Sequence, residues 1–318
     1  MSRQREEYLN LFNGIDFERI KDHPNILIAA SFWDNSRYEA ARTFYRFMRT
    51  IDDLIDDHKA EHLQFSEDEK KKYVLDVQQW LNTIRNSTRE NSLYQELTET
   101  IDRFHIPLWP IEAFAKSMVY DINHEGFSTL HQFLEYAQGA SVAPASIFVH
   151  LCGLKEDNGQ FLPPPFDVKE ASIPCAIFSY LVHIIRDFQK DQFNNLNYFA
   201  DNILEKNGLN RKDLQIIARN GDIPGGFRKV IREYYDLAEQ YRIRTCNMIH
   251  TLWPYLGPRY KLSLEVIFNL YLMVFERIDP ESGSFSMQEL NPTTEEMRDR
   301  VLETVKNFKE KHSNCAKF

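Results

Sequence analysis

Two acidic pairs, Asp52-x-x-x-Asp56 and Asp187-x-x-x-Asp191, stand in apolar segments of helical period and are the residues best placed to do chemistry. Residues four apart share one helix face, so each pair sets like charges side by side at a cost of about 0.2–0.5 kcal/mol. A compensating cation is expected, and neutralising one member of a pair should raise stability slightly. From Asp52 to Asp57 the chain carries Asp52, Asp53, Asp56 and Asp57, while Phe44, Met48, Ile51 and Ile55 form an apolar stripe beside the Asp52/Asp56 line. The carboxylates therefore fall at the edge of a core. Mg²⁺ suits such a place, because it binds through one or two carboxylates together with waters and substrate phosphates. Two walls of this kind, facing one another, would hold a diphosphate between metal ions. One acidic pair alone is an ordinary solvated helix face. Two on strongly apolar helices, each with an arginine within a turn (Arg49 and Arg186), point to a site instead.

The elements that must position these residues are helices. Strand signals are nearly absent, and apolar periodicity predicts helices over 36–57, 67–86, 91–104, 109–123, 128–152, 167–193, 223–252, 258–279 and 293–311. Ser66-x-x-Glu69 reads as a capping box, and Pro292-Thr293-Thr294-Glu295 as a helix start. The segment 155–167, with Gly159 and Pro163-Pro164-Pro165, reads as a surface loop within one domain, and 221–226 as a second turn. The tail from Lys306 to Phe318 reads as a solvated, basic helix end.

Composition narrows the function. A net charge of −9 removes the basic footprint of a nucleic-acid binder. With 23 Phe and 15 Tyr the chain can fill a large core and also line a cavity with aromatic rings. Cys152, Cys175, Cys246 and Cys315 lack metal-ligand spacing and read as reduced core residues of a cytoplasmic protein. No window reads as a membrane span, and the N-terminus is too polar for a signal peptide.

The run Tyr45-Arg46-Phe47-Met48-Arg49-Thr50-Ile51-Asp52-Asp53-Leu54-Ile55-Asp56 and the run Ile184-Ile185-Arg186-Asp187-Phe188-Gln189-Lys190-Asp191 resemble the two aspartate motifs of the squalene/phytoene synthase family. Between them, Tyr120-Asp121, Thr129 and Tyr136-Ala137-Gln138-Gly139-Ala140-Ser141 resemble its central segment, where small residues let a helix pass close to the prenyl chain. The resemblance covers roughly residues 20–280 and implies one all-α isoprenoid synthase domain with a central cavity, followed by a C-terminal helix and tail over 292–318. It implies Mg²⁺ bound by Asp52, Asp56, Asp187 and Asp191, with Asp53 and Asp57 as second-rank candidates. Arg49 matches a diphosphate-contacting arginine, His23 an N-terminal histidine of some members, and Tyr271 a late tyrosine; Gln138, Tyr180, His183 and Arg186 complete the substrate-binding set. The implied reaction joins two identical prenyl diphosphates, farnesyl diphosphate above all. One ionises, and its allylic cation is captured by the double bond of the other, giving a cyclopropylcarbinyl diphosphate. Rearrangement then yields a squalene-, hydroxysqualene- or phytoene-type product, with NADPH as the reductant where one is used. Peripheral contact with a membrane is the implied route for product release.

The departures are local. Tyr180 and His183 stand where the family usually has Gln and Asn, Leu196 and Ala200 stand for an arginine and a proline, and the tyrosine many members carry in the central helix is replaced around Gln138 and Gly139. Ionisation needs only the aspartates, Arg49 and a shaped pocket, so these changes are expected to affect the second step, stopping at or diverting the cyclopropyl intermediate. The wording of the first motif and His150-Leu151-x-Gly153 resemble the bacterial presqualene diphosphate and hydroxysqualene synthases. Two other readings use the same residues: a terpene cyclase acting on one prenyl diphosphate, and a non-catalytic family member serving as an assembly protein.

Overall fold

The computed structural model describes residues 3–18, 24–61, 65–86, 92–309 and 315. Its helices are α1 (Arg3–Asn13), α2 (Pro24–Ala30), α3 (Asn35–Glu61), α4 (Glu67–Arg85), α5 (Ser92–Phe104), α6 (Trp109–Asn123), α7 (Leu130–Ala137), α8 (Ala143–Gly153), α9 (Val168–Arg186), α10 (Phe188–Phe193), α11 (Asp201–Lys206), α12 (Arg211–Asn220), α13 (Gly225–Leu252), α14 (Pro258–Phe275), α15 (Met287–Leu290) and α16 (Thr294–Asn307). The long periodic helices fall where apolar spacing predicts them. Both capping signals hold: Ser66 and Glu69 form the box of α4, and Thr293 caps α16 with Glu296 as its partner. Several elements lay outside the expectation, namely α1, α2, α11, α12, α15 and an antiparallel hairpin, β1 (Lys155–Asp157) with β2 (Gln160–Leu162), in the presumed loop.

Helix α9 is apolar around most of its circumference, and such a helix must be surrounded. It packs against α13, α8 and α14. It is also long and apolar enough to cross a membrane, which corrects the reading that no segment reaches that length. Its neighbours place it as the central strut of the core. Across from it, α3 buries Phe44, Met48, Ile51 and Ile55, the stripe predicted beside the acidic line.

The central segment departs from a regular helix. Between α7 and α8, Gln138–Val142 form a π-turn, and a widened turn of this kind rotates the faces of the helix beyond it. Gly139 meets α6 rather than the cavity: a Cβ there would overlap the Ala113 carbonyl oxygen and Ser117 Oγ and sit 2.8 Å from the Ala113 carbonyl carbon. Ser117 Oγ donates to the Tyr136 carbonyl at 2.8 Å, and Ser141 Oγ to the Ala176 carbonyl at 2.9 Å, tying the turn to α6 and α9. Gly139→Ala should therefore destabilise the protein by about 1–3 kcal/mol, the usual cost of overpacking against backbone that cannot yield. Urea denaturation checks this, and an unchanged midpoint would contradict the close approach.

One cysteine expectation is overturned. Cys246 on α13 is joined to Cys315 by a disulfide with Cα atoms 5.3 Å apart, while Cys152 and Cys175 are free. The separation fits disulfide geometry, and the bridge ties Cys315 to a core helix.

Candidate active site

One cavity of about 420 Å³ brings the two acidic segments together. It follows α9 from Ser172 through Cys175, Ala176, Ser179 and Tyr180 to His183 and Asp187, a span of roughly 22 Å at about 1.5 Å per residue. Along this path the lining changes from apolar to charged. Phe148, Leu151, Met248, Leu264 and Ile267 belong to the apolar part, and Arg49, Asp52, Asp53, Asp187, Lys190 and Asp191 to the charged part.

The first wall stands on α3. Arg49 Nη1 donates to Asp52 Oδ2 at 2.9 Å, and Nη2 pairs with Asp53 Oδ1. Burial works against the Arg49 charge, but Asp52 and then Asp53 outweigh it and hold its pKa above the ordinary value. Its Nε is buried without a partner. Asp53, ranked second from sequence, thus faces the cavity with Asp52. The side chains of Asp56 and Asp57, and all of His23, lie outside the described residues.

The second wall is not one continuous helix. α9 ends at Arg186, Asp187 takes φ −92° and ψ 4°, and α10 begins at Phe188. The Asp191 N–H still donates to the Asp187 carbonyl at 2.8 Å, so the pair keeps its one-turn spacing. After α10, Asn195 adopts φ 58° and the Leu196 N–H reaches back to the Asp191 carbonyl at 2.8 Å. That is the six-to-one bond of a Schellman cap, closed by an asparagine that tolerates the left-handed region. The cap turns the chain so that Asn194, Leu196 and Tyr198 complete the wall.

Asp187 is 6% exposed and closely held. Arg186 Nε donates to Oδ1 at 2.7 Å and Nη2 to Oδ2 at 2.8 Å, while His183 Nε2 lies 2.7 Å from Oδ2. Burial pushes the Asp187 pKa up, yet His183 and Arg186 reverse this and hold it well below the ordinary carboxylate range. For His183 burial prevails over the neighbouring carboxylate and lowers its pKa. The expectation that neutralising Asp187 stabilises the fold is therefore wrong for this residue, since its nearest charge is a cation.

The substrate-binding candidates divide. Tyr180 lies on the wall, stacked on Phe133 at 5.5 Å and close to Tyr136 and Tyr198. Tyr271 also lines the cavity, with its pKa raised by burial. Arg186 stands behind Asp187 rather than on the wall. Gln138 begins the π-turn half-buried and is not on the wall, where Tyr136, Ala140 and Ser141 take its place. Sequence reasoning missed Tyr45, Lys190, Asn194 and Tyr198. Tyr45 had a signal, since it lies one turn before Arg49, and Lys190 adjoins Asp191. It also missed the bond from Tyr136 Oη to Asp121 Oδ2 at 2.6 Å, which anchors a buried ring on the cavity wall.

These features define a helical protein of the isoprenoid synthase fold with an acid-walled, aromatic cavity. The squalene/phytoene synthase family model matches residues 21–291, and the chain belongs to that family. Among solved structures it is similar to a dehydrosqualene synthase in complex with ligand, at 16% identity and TM-score 0.70 over 95% of this chain and 97% of that one. It is similar also to the squalene synthase HpnC from Alicyclobacillus acidocaldarius, at 14% identity and TM-score 0.63 over 84% and 92% of the two chains. YisP from Bacillus subtilis matches at 13% identity and TM-score 0.58 over 95% and 99%. Identities this low speak to the fold alone. No curated protein matches the sequence significantly.

Proposed function

We propose that this protein is a Mg²⁺-dependent prenyltransferase that condenses two prenyl diphosphates, farnesyl diphosphate being the substrate of choice. The observation that carries the reading is the meeting of both acidic segments on one elongated cavity that is charged along one stretch and apolar along the rest. A prenyl diphosphate has the same two halves.

The donor set fits magnesium. The wall carboxylates supply hard oxygen ligands of the kind Mg²⁺ takes. Zinc takes three or four protein ligands, whereas Mg²⁺ takes one or two and fills its shell with water and phosphate oxygens. Asp52 and Asp53 on one wall and Asp191 on the other are the residues that would hold magnesium ions, one or two carboxylates to each ion, with Asp56 one turn after Asp52 in the sequence. Bound there, the metal would neutralise the charge that develops on a departing diphosphate.

The chain's own residues supply the remainder. Arg49, now paired with Asp52 and Asp53, presents a planar donor fork suited to phosphate, and Lys190 adds a second cation. Tyr136, Tyr180 and Tyr198 offer ring faces to an allylic cation, while the apolar stretch keeps water from it. Of the positions where this chain departs from its family, Tyr180, His183 and Leu196 lie on the wall, while Gln138, Gly139 and Ala200 do not. That placement supports an enzyme that makes the cyclopropyl intermediate and then stops or diverts it toward an alcohol, rather than reducing it with NADPH.

Arg49 must exchange a carboxylate for a phosphate, so metal and diphosphate should bind together. Mg²⁺ with a non-hydrolysable farnesyl diphosphate analogue is expected to stabilise the protein by about 2.7 kcal/mol at one hundred times the dissociation constant. Thermal denaturation should show either component alone doing much less. No shift with both present would contradict the assignment.

A further inference from the structure

Asp187 carries more donors than a metal ligand can share. A carboxylate offers about four acceptor positions. At Asp187, Oδ1 accepts from Arg186 Nε, and Oδ2 accepts from Arg186 Nη2 and meets His183 Nε2, every distance being 2.7 or 2.8 Å. The position left on Oδ1 lies beside the guanidinium, where a divalent cation would meet like charge in a poorly solvated setting.

We propose that Asp187 is a fixed internal counter-anion clamped by Arg186 and His183, so that the second wall offers a metal ion one carboxylate, Asp191, instead of two. This rests on the metal and diphosphate reading above. The clamp is built into the chain. His183 lies one helical turn before Asp187 and reaches it along the helix face, and the following Phe188 is buried against Phe199 and Phe227 with ring centroids 5.9 and 4.5 Å away. The backbone on either side of Asp187 is thereby fixed. Asp191 has different surroundings: it sits half-buried on α10, on the cavity wall next to Lys190 and Asn194. The two members of the pair, identical by spacing, thus have different work.

Thermal denaturation of the full chain separates them, with inorganic diphosphate present and Mg²⁺ titrated, and again in EDTA without diphosphate. Asp191→Asn should raise the Mg²⁺ concentration for half-maximal stabilisation at least about tenfold, since losing a ligand costs no less than the roughly 10–100-fold typical of losing a group that merely supports one, while leaving the metal-free Tm nearly unchanged. Asp187→Asn should leave the Mg²⁺ requirement within about threefold, well short of a ligand's loss, but lower the metal-free Tm by several degrees. Should Asp187→Asn not fold, His183→Asn loosens the same clamp and is expected to behave like it. An increase in the Mg²⁺ requirement in either clamp variant as large as in Asp191→Asn overturns the proposal. No stabilisation of the unsubstituted chain by Mg²⁺ and diphosphate would sink the metal reading itself. The metal-free arm still decides the clamp, because an unchanged or raised Tm in Asp187→Asn rules it out.

Discussion

Asp52→Asn should lower diphosphate release from farnesyl diphosphate by about 100-fold or more, since one preorganised group aimed at developing charge contributes about 10²–10³ to turnover. The residue lies on the cavity wall, paired with Arg49 rather than committed to the core. Its replacement removes one charge and almost no volume, and Arg49 keeps Asp53 as a partner. The fold should therefore survive, with a Tm close to that of the unsubstituted chain. Phosphate-release assays on the purified variant give the answer. Turnover within a few-fold of normal, in folded protein, would remove the α3 wall from the chemistry.

The largest effect on stability is expected at Arg186. Replacing it by methionine leaves Asp187, 6% exposed, without the guanidinium and with His183 beside it. Breaking a buried pair from one side costs about 3–5 kcal/mol. At roughly 2 °C per kcal/mol for a chain somewhat larger than 250 residues, the Tm should fall by roughly 6–10 °C. Arg186→Met combined with Asp187→Asn should recover much of the loss, because a buried ion pair replaced as a whole is often close to neutral. If the single variant melts like the original, the pair is solvated in solution and the clamp does not exist.

Most of the framework could be read from the chain because the helices that carry the site also carry the apolar period. The stripe of Phe44, Met48, Ile51 and Ile55 located α3 and its acidic edge, and Tyr180, His183 and Asp187, spaced three and four apart, line one cavity. What spacing could not show was which partner each carboxylate takes. The break at Asp187 and the cap at Asn195 depend on how Phe188, Phe199 and Phe227 pack together, a matter of tertiary contact. Gln138, named through the family resemblance, falls at the start of a π-turn, and Ala140 and Ser141 line the cavity there. The hairpin was missed because each strand is three residues long and Phe161 is its single buried side chain. The bridge between Cys246 and Cys315 joins residues 69 apart, beyond any local pattern.

The product formed from farnesyl diphosphate tests the central claim most directly. Purified protein incubated with this substrate and Mg²⁺, with and without NADPH, is expected to yield by mass spectrometry a compound built from two prenyl chains. That compound should be a cyclopropylcarbinyl diphosphate or an alcohol, formed whether or not NADPH is present. Products built from a single prenyl chain, or no release of diphosphate at all, would contradict head-to-head condensation.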